Sequence, residues 1–296
     1  MSMTTTGVLL GIDFGGTKMA LALAEPDGSI IERRRLPTNA VDGAQRALAR
    51  ALDAAEKLVS DSGRPVLAAG VATPGVVRPD GIDLAPNVPG WGELRLADAL
   101  RKRLGDMPVP VWNDVNAAAL AEVHHGRLRG ADPGLVLGLG TGVAAAVTVG
   151  GRVVPGFHGA AGEIGYTLAG AGPLHPDETH LEAVFGGRVL DELAATHGLA
   201  RGAADLVAAA DAELRDAVDR RLDTMSRAVI GMCLLLDPER VVLFGGLTGS
   251  ERIVGRLTER LHAHLPFPPD VVMSGFAQDA PLVGAVTLAA DAATVR

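Results

Sequence analysis

A chain of 296 residues with 48% hydrophobic content has the length for about two domains and enough apolar side chains for real cores. Its 27 basic residues against 35 acidic ones leave a net charge of −8, which argues against nucleic acid or an anionic membrane as the main partner. A single cysteine, Cys233, permits no internal disulfide and fits a reducing, cytoplasmic setting, as a small hydrophobe in an apolar helical run.

Residues 1–7 lack the basic and apolar regions of a secretory signal. The pattern then predicts a three-strand meander over 8–12, 19–24 and 30–36, with Pro26-Asp27-Gly28 as the second turn. The first turn is Asp13-Phe14-Gly15-Gly16-Thr17-Lys18. Glycines without a Cβ can reach positive φ and let main-chain N–H groups converge on an anion, while Thr17 adds a hydroxyl and Lys18 a charge. Asp13 beside a polyanion makes sense if Mg²⁺, with its retained waters, bridges the two. Taken alone, the same residues could form an ordinary glycine hairpin.

Helical spacing over 43–60 is stopped by Asp61-Ser62-Gly63, and 66–72 reads as a buried strand ending at Thr73-Pro74-Gly75. A short helix over 94–104, a strand over 109–112 and a helix over 115–125 follow. The basic runs Arg33-Arg34-Arg35 and Arg101-Lys102-Arg103 are short and read as solvated edges. Asn113-Asp114 falls where a strand meets a helix, the end of an open α/β sheet that presents catalytic groups. Asp114 can be a general base there, or simply the N-cap of the next helix.

Residues 133–151 hold 19 positions without a charge, long enough for a membrane helix, but their six glycines read as strand, turn, strand. A second meander over 135–139, 144–149 and 152–154 repeats the first, with Gly140-Thr141-Gly142 at its first turn. Two such units suggest a duplicated α/β fold whose glycine turns line one nucleotide cleft. Further on, Gly156 to Tyr166 is a glycine-rich loop around Glu163, and Glu182 stands at a helix start, where either a ligand or the helix dipole would suit a carboxylate. Helical runs over 181–196 and 203–236, a strand over 241–244 closed by Gly245-Gly246, and helices over 252–264 and 281–295 complete the chain.

Taken in order, residues 13–18, Asn113-Asp114, 138–142, 159–165, Leu181-Glu182-Ala183 and 241–246 resemble the ROK sugar kinases over nearly the whole length. The resemblance implies an actin-like ATPase (ribonuclease H-like) fold with two domains, 1–115 plus 281–296 and 116–280. It implies ATP and Mg²⁺ as cofactors, a hexose such as glucose or an N-acetylated hexosamine as acceptor, and a homodimer. By the same resemblance Asp114 is the base, and Asn87, Asn113, Glu163, Tyr166 and Glu182 meet the sugar. Asp13, Gly15, Gly16, Thr17, Lys18, Gly140, Thr141 and Gly142 hold phosphates, with Gly245 and Gly246 at the adenosine.

The chain departs from the family at the zinc site of one histidine and three cysteines. Tyr166 stands at the histidine position, and Pro173, His175 and His180 at the cysteine positions. Two histidines fall short of four ligands; Asp177 or Glu178 could complete an improvised site, but two isolated histidines are usually surface residues, so no zinc is expected. Two other enzyme classes are set aside: Gly138-Leu139-Gly140-Thr141-Gly142 lacks the third glycine of a dinucleotide fingerprint, and no P-loop occurs. A ROK-type repressor would need a DNA-binding segment before Asp13, where only 12 residues stand. A weak or inactive sugar and nucleotide binder, and a kinase using polyphosphate, remain as alternatives.

Overall fold

The computed structural model describes residues 7–85, 88–170, 174–175 and 177–294. The chain first lays down β1 (Val8–Phe14), β2 (Lys18–Ala24), β3 (Ile30–Pro37), α1 (Ala44–Ser62) and β4 (Val66–Thr73). A small hairpin, β5 (Val76–Arg78) and β6 (Gly81–Asp83), precedes α2 (Leu96–Leu104), β7 (Val111–Asn113) and α3 (Asp114–His125). There follow β8 (Gly134–Leu139), β9 (Val143–Val149), β10 (Arg152–Val154), α4 (Gly187–Thr196), α5 (Ala203–Ala208) and α6 (Ala212–Leu236). The last elements are β11 (Arg240–Phe244), α7 (Glu251–His264), β12 (Asp270–Met273) and α8 (Ala280–Thr294).

Two compact units result: Met1–Ala121, Gly156–Ala160 and Asp279–Arg296 form the first, and Glu122–Pro155 and Ala161–Gln278 the second. Each contains a five-stranded sheet, ordered β3-β2-β1-β4-β7 in the first and β10-β9-β8-β11-β12 in the second. In both, an antiparallel meander leads into two further strands parallel to the first strand. The duplication read from the two meanders is therefore carried through the whole of each sheet.

Strand alternation sorts the first sheet's core by side-chain size. Leu10, Ile12, Phe14, Met19, Leu21 and Leu23 join α1 and α2 in one buried cluster. Their neighbours Leu9, Ala20, Ala22 and Ala24 face α8 through Leu282, Val286 and Ala289. Alanines there let the helix lie close, and α8 is accordingly apolar and buried around most of its surface. In the second unit Leu135, Leu137 and Leu139 of β8 pack under Leu222, Val229, Ile253 and Leu257 of α6 and α7. Arg252, Arg256 and Arg260 on α7 meet Asp219 and Asp223 on α6 at 2.7 to 3.3 Å, fixing the helix pair at its solvent edge.

Several boundaries differ from the sequence reading. The expected 203–236 helix is broken into α5 and α6, because Asp211 caps a new start by accepting from the Glu213 and Leu214 N–H groups. The 181–196 helix is likewise split: Leu181–Ala183 is a single 3₁₀ turn, and Gly186 at φ 152° interrupts before α4. Strand β12 and the β5–β6 hairpin escaped notice, being four and three residues long without clear alternation. No described helix is long and apolar enough to cross a membrane.

Candidate active site

In the first unit, β1, β4 and β7 run parallel, so their C-terminal ends lie side by side. Asp13 stands one residue before the end of β1, opposite Ala72, and Thr73 on β4 pairs with Asn113 on β7. Burial pushes the Asp13 carboxyl up to about 8, and the negative charges of Asp114 and Asp279 push the same way, with Lys18 in partial opposition. Three carboxylates thus bear on one another beside one cation. Asp279 was missed in the sequence, where an acidic residue just before a helix looks like a dipole partner. It also pairs with Arg35 at 2.5 Å.

The turn after Asp13 is tight rather than left-handed. Gly15 N–H donates to the Lys18 carbonyl at 3.0 Å, and a Cβ on Gly15 would stand 2.5 Å from that oxygen. Neither Gly15 nor Gly16 has positive φ, so close approach rather than handedness requires the glycine, correcting the expectation. Fully buried Thr38 supports the turn from β3: its hydroxyl donates to Gly15 O at 2.6 Å and its N–H to Thr17 O at 2.9 Å. Thr17 and Lys18 are exposed.

Asn113 is the principal cap of α3. Its Oδ1 accepts from Val115 N at 2.9 Å and Asn116 N at 3.1 Å, while Nδ2 donates to Gly75 O at 3.1 Å. At most the second Nδ2 hydrogen is left for a substrate, which narrows the sugar-holding role expected for it. Asp114 also accepts from Val115 N, at 2.9 Å through Oδ1. With Asn113 as the cap, Asp114 is placed at the helix start by its neighbour's duty. Trp91 anchors the loop that precedes: its Nε1 donates to Thr73 Oγ1 at 2.8 Å and its ring meets Phe14 edge-on at 5.3 Å. Asn87 lies outside the described residues.

In the second unit, Glu163 precedes a 3₁₀ turn, Ile164–Tyr166, and Glu182 sits in another, Leu181–Ala183. The Tyr166 hydroxyl is raised above the usual phenol range by burial, then by the charges of Glu182 and Glu163. All three side chains therefore share one neighbourhood, with the phenol kept protonated as a donor. Glu182 Oε2 accepts from Val143 N at 3.4 Å and would lie 2.3 Å from a Cβ on Gly142. The Gly140–Gly142 turn is closed by Gly140 N–H to Gly142 O at 3.1 Å. At the start of α4 the Gly187 and Arg188 N–H groups donate to the carbonyls of Gly140 and Thr141 at 2.8 and 3.0 Å. The pair Gly186-Gly187, which makes room for this, was not singled out from the sequence.

Gly245 follows β11 at φ 106°, with its α-carbon so near Leu139 O that a Cβ would come within 2.4 Å. Gly246 opens the next turn and lines a cavity of about 570 Å³ with Ala203, Val207, Leu247, Ser250 and Ile253. A space of that size with apolar walls suits a nucleoside.

Comparison with known proteins places the chain. The ROK family model matches residues 9–292. A glucokinase from Thermotoga maritima is 31% identical over 95% of this chain and 96% of its own length. An N-acetylmannosamine kinase from Escherichia coli is 33% identical over 95% and 97%. The crystal structure of a ROK family glucokinase from Streptomyces griseus in complex with glucose and AMPPNP is similar at TM-score 0.80 and 25% identity, covering 96% of this chain and 100% of that one. The chain belongs to the ROK family. Its fold is the duplicated, actin-like α/β fold of that family.

Two metals are at issue in a ROK protein, and the residues treat them differently. For Mg²⁺ the donor chemistry fits: Asp13 is a carboxylate raised by burial and like charge, which a divalent cation would relieve. The described residues include no group of three or more His, Cys, Asp or Glu able to hold a metal ion by themselves, so phosphate and water oxygens would supply the rest of the shell. For zinc the donors do not fit. Tyr166 keeps its proton, His175 and His180 are the histidines of that segment, and Pro173 lies outside the described residues.

Proposed function

We propose that this ROK-family sugar kinase transfers the γ-phosphoryl group of ATP to a hydroxyl of glucose or a related hexose, such as an N-acetylated hexosamine, with Asp114 as the general base. The observation that carries the reading is that Asp13 and Asp114, at the ends of the parallel strands β1 and β7, and Asp279, just before α8, bear on one another near the Gly15–Lys18 turn. So many carboxylates crowded into a partly buried place destabilise the empty protein, a cost that makes sense where a cation and a phosphate chain are bound.

Asp114 would accept the proton of the attacking sugar hydroxyl, held there because Asn113 caps α3. Lys18, Thr17 and the Gly16 amide would meet the transferring phosphates at the turn that Gly15 closes, and Gly140, Thr141 and Gly142 the others. Mg²⁺, held at Asp13 through water, would neutralise phosphate charge as it spreads over the transferring group. Glu163 and Glu182 would accept from sugar hydroxyls and Tyr166 donate to one. The cavity beside Gly246 would take the adenosine, and its apolar walls favour a nucleotide over polyphosphate as donor. A cytoplasmic homodimer is the proposed state, to be checked by light scattering of the purified protein.

The relatives named above act on glucose or N-acetylmannosamine, so the sugar panel should span both. The test is ADP release with hexoses, hexosamines and N-acetylated hexosamines, run beside Asp114→Asn. Turnover well above the variant is expected for one of them; no sugar giving turnover above it would defeat the reading and leave a sugar and nucleotide binder.

A further inference from the structure

Glu163 and Glu182 stand at two separate 3₁₀ turns, joined by a segment in which ROK relatives would carry zinc ligands. Something other than metal must hold the two turns together. Part of the answer is backbone: Leu181 N–H donates to Thr167 O at 2.8 Å, Ala169 N–H to Thr179 O at 2.8 Å, and Leu168 and His180 pair as an antiparallel bridge. Residues 167–169 and 179–181 thus form a short two-stranded clasp whose ends are the sugar-facing turns. The other part is a ring contact. The imidazole of His180 lies against the phenol of Tyr166, centroids 5.6 Å apart and tilted by 58°.

We propose that His180 is a positioning residue: its ring against Tyr166, at the end of the clasp, fixes the Tyr166 hydroxyl between Glu163 and Glu182 and does so without a metal. The proposal rests on the sugar-kinase reading for what those three groups bind. Two exposed rings on a clasp of one bridge and two hydrogen bonds make a modest device, so removal of one ring should loosen the aim of the hydroxyl rather than unfold the unit. The contact depends on a flat apolar face, which a phenyl ring supplies as well as an imidazole. A metal ligand depends on a nitrogen, which phenyl lacks. His180→Phe therefore separates the two roles that His180→Ala would confuse.

The experiment uses the full chain and two readouts. Tyr166 is the chain's single tyrosine, so phenolate absorbance during an alkaline titration reports this site alone. Wild type and His180→Phe should titrate together, above an ordinary phenol and unchanged by EDTA, while His180→Ala moves toward the ordinary value. In kinase assays His180→Ala should raise the sugar KM about 3- to 10-fold with the ATP KM unchanged, and His180→Phe should restore it. The proposal is overturned if His180→Ala matches wild type in the titration. It is also overturned if EDTA shifts the wild-type curve, or if the purified protein holds one zinc per chain that His180→Phe loses. Absence of any sugar turnover in wild type would defeat the kinase reading instead, and the titration would still decide the role of His180.

Discussion

The first turns of the two sheets occupy the same place in the same topology and solve opposite problems. The β1–β2 turn is closed by Gly15 N–H to Lys18 O at 3.0 Å, and the β8–β9 turn by Gly140 N–H to Gly142 O at 3.1 Å. Around the first, charge accumulates: Asp13, Asp114, Asp279 and Lys18 bear on one another. The second carries none of its own, residues 133–151 being uncharged, and its carbonyls are occupied by the α4 amides. Duplication preserves the strand order because hydrophobic alternation dictates it, whereas a turn's chemistry is free to diverge. On the proposed reading the first turn would serve a cation and a transferring phosphate, while the second is an uncharged backbone shelf.

If the charged turn is the reactive one, the largest effect should come from Asp114→Asn. The substitution keeps size and most hydrogen bonding while removing the base, so kcat should fall by about 10²–10⁴ with KM for sugar and ATP within a few-fold. A loss of binding with unchanged kcat would move the base elsewhere.

Asp13→Asn tests the same charge from the other side, and the sign of its effect depends on what is measured. Activity should drop at least about a hundredfold, since a neutral amide cannot offset the cation. Stability of the ligand-free protein should rise. Asp13 holds its proton up to about 8 when folded but ionises near 3.8 when unfolded, so the folded state binds the extra proton between those values. Its contribution is neutral below that window, becomes increasingly unfavourable as pH rises through it, and levels off above about 8. Denaturant unfolding without Mg²⁺ or nucleotide should show Asp13→Asn gaining on wild type as pH rises from about 4 to 8. A parallel pair of curves would mean the carboxyl is solvated.

How much of this was legible in the sequence follows the same division. The meanders, both glycine turns, Asp13, Asp114 and the Glu163–Glu182 region announce themselves, because alternation and glycine are local signals. The partners Asp279 and Thr38 do not, since each meets the first turn across more than 20 residues of chain. The role of Gly15 was misread for a related reason: sequence shows that a glycine is needed, not whether handedness or a nearby carbonyl demands it. Asn113 reads as a sugar ligand in the sequence, and the α3 cap, formed through its Oδ1, leaves it one Nδ2 hydrogen for that role, a competition that appears only in three dimensions.

On the neutral side the backbone itself should be the sensitive element. Gly245→Ala combines a left-handed φ of 106° with a Cβ 2.4 Å from Leu139 O, so both strain and collision apply. A loss of about 1–3 kcal/mol in unfolding free energy is expected, together with a raised ATP KM and a nearly unchanged sugar KM. If stability falls and both KM values rise equally, the shelf is not specific to the nucleotide.

The smallest effect should be a change of base on the phosphoryl donor. The cavity beside Gly246 is walled by Ala203, Ala204, Val207, Ala208, Leu247 and Ile253, groups that take a flat ring by shape. Its two polar side chains, Ser250 and Arg252, already have protein partners. Ser250 Oγ accepts from Ile253 N at 3.5 Å as a helix cap, and Arg252 is held by Asp219 at 2.7 Å and by two carbonyls. Discrimination between amino and keto purines comes from buried hydrogen-bonding groups left unpaired by the wrong base, and a wall of methyl groups offers none. GTP and ITP should therefore support turnover with kcat/KM within about tenfold of ATP, while inorganic polyphosphate, with no ring to fill the cavity, should serve poorly. Rejection of GTP by a hundredfold or more would show that main-chain groups at Gly246–Gly249, or the Ser250 hydroxyl, read the base edge, giving the cavity a specificity that its apolar walls do not have.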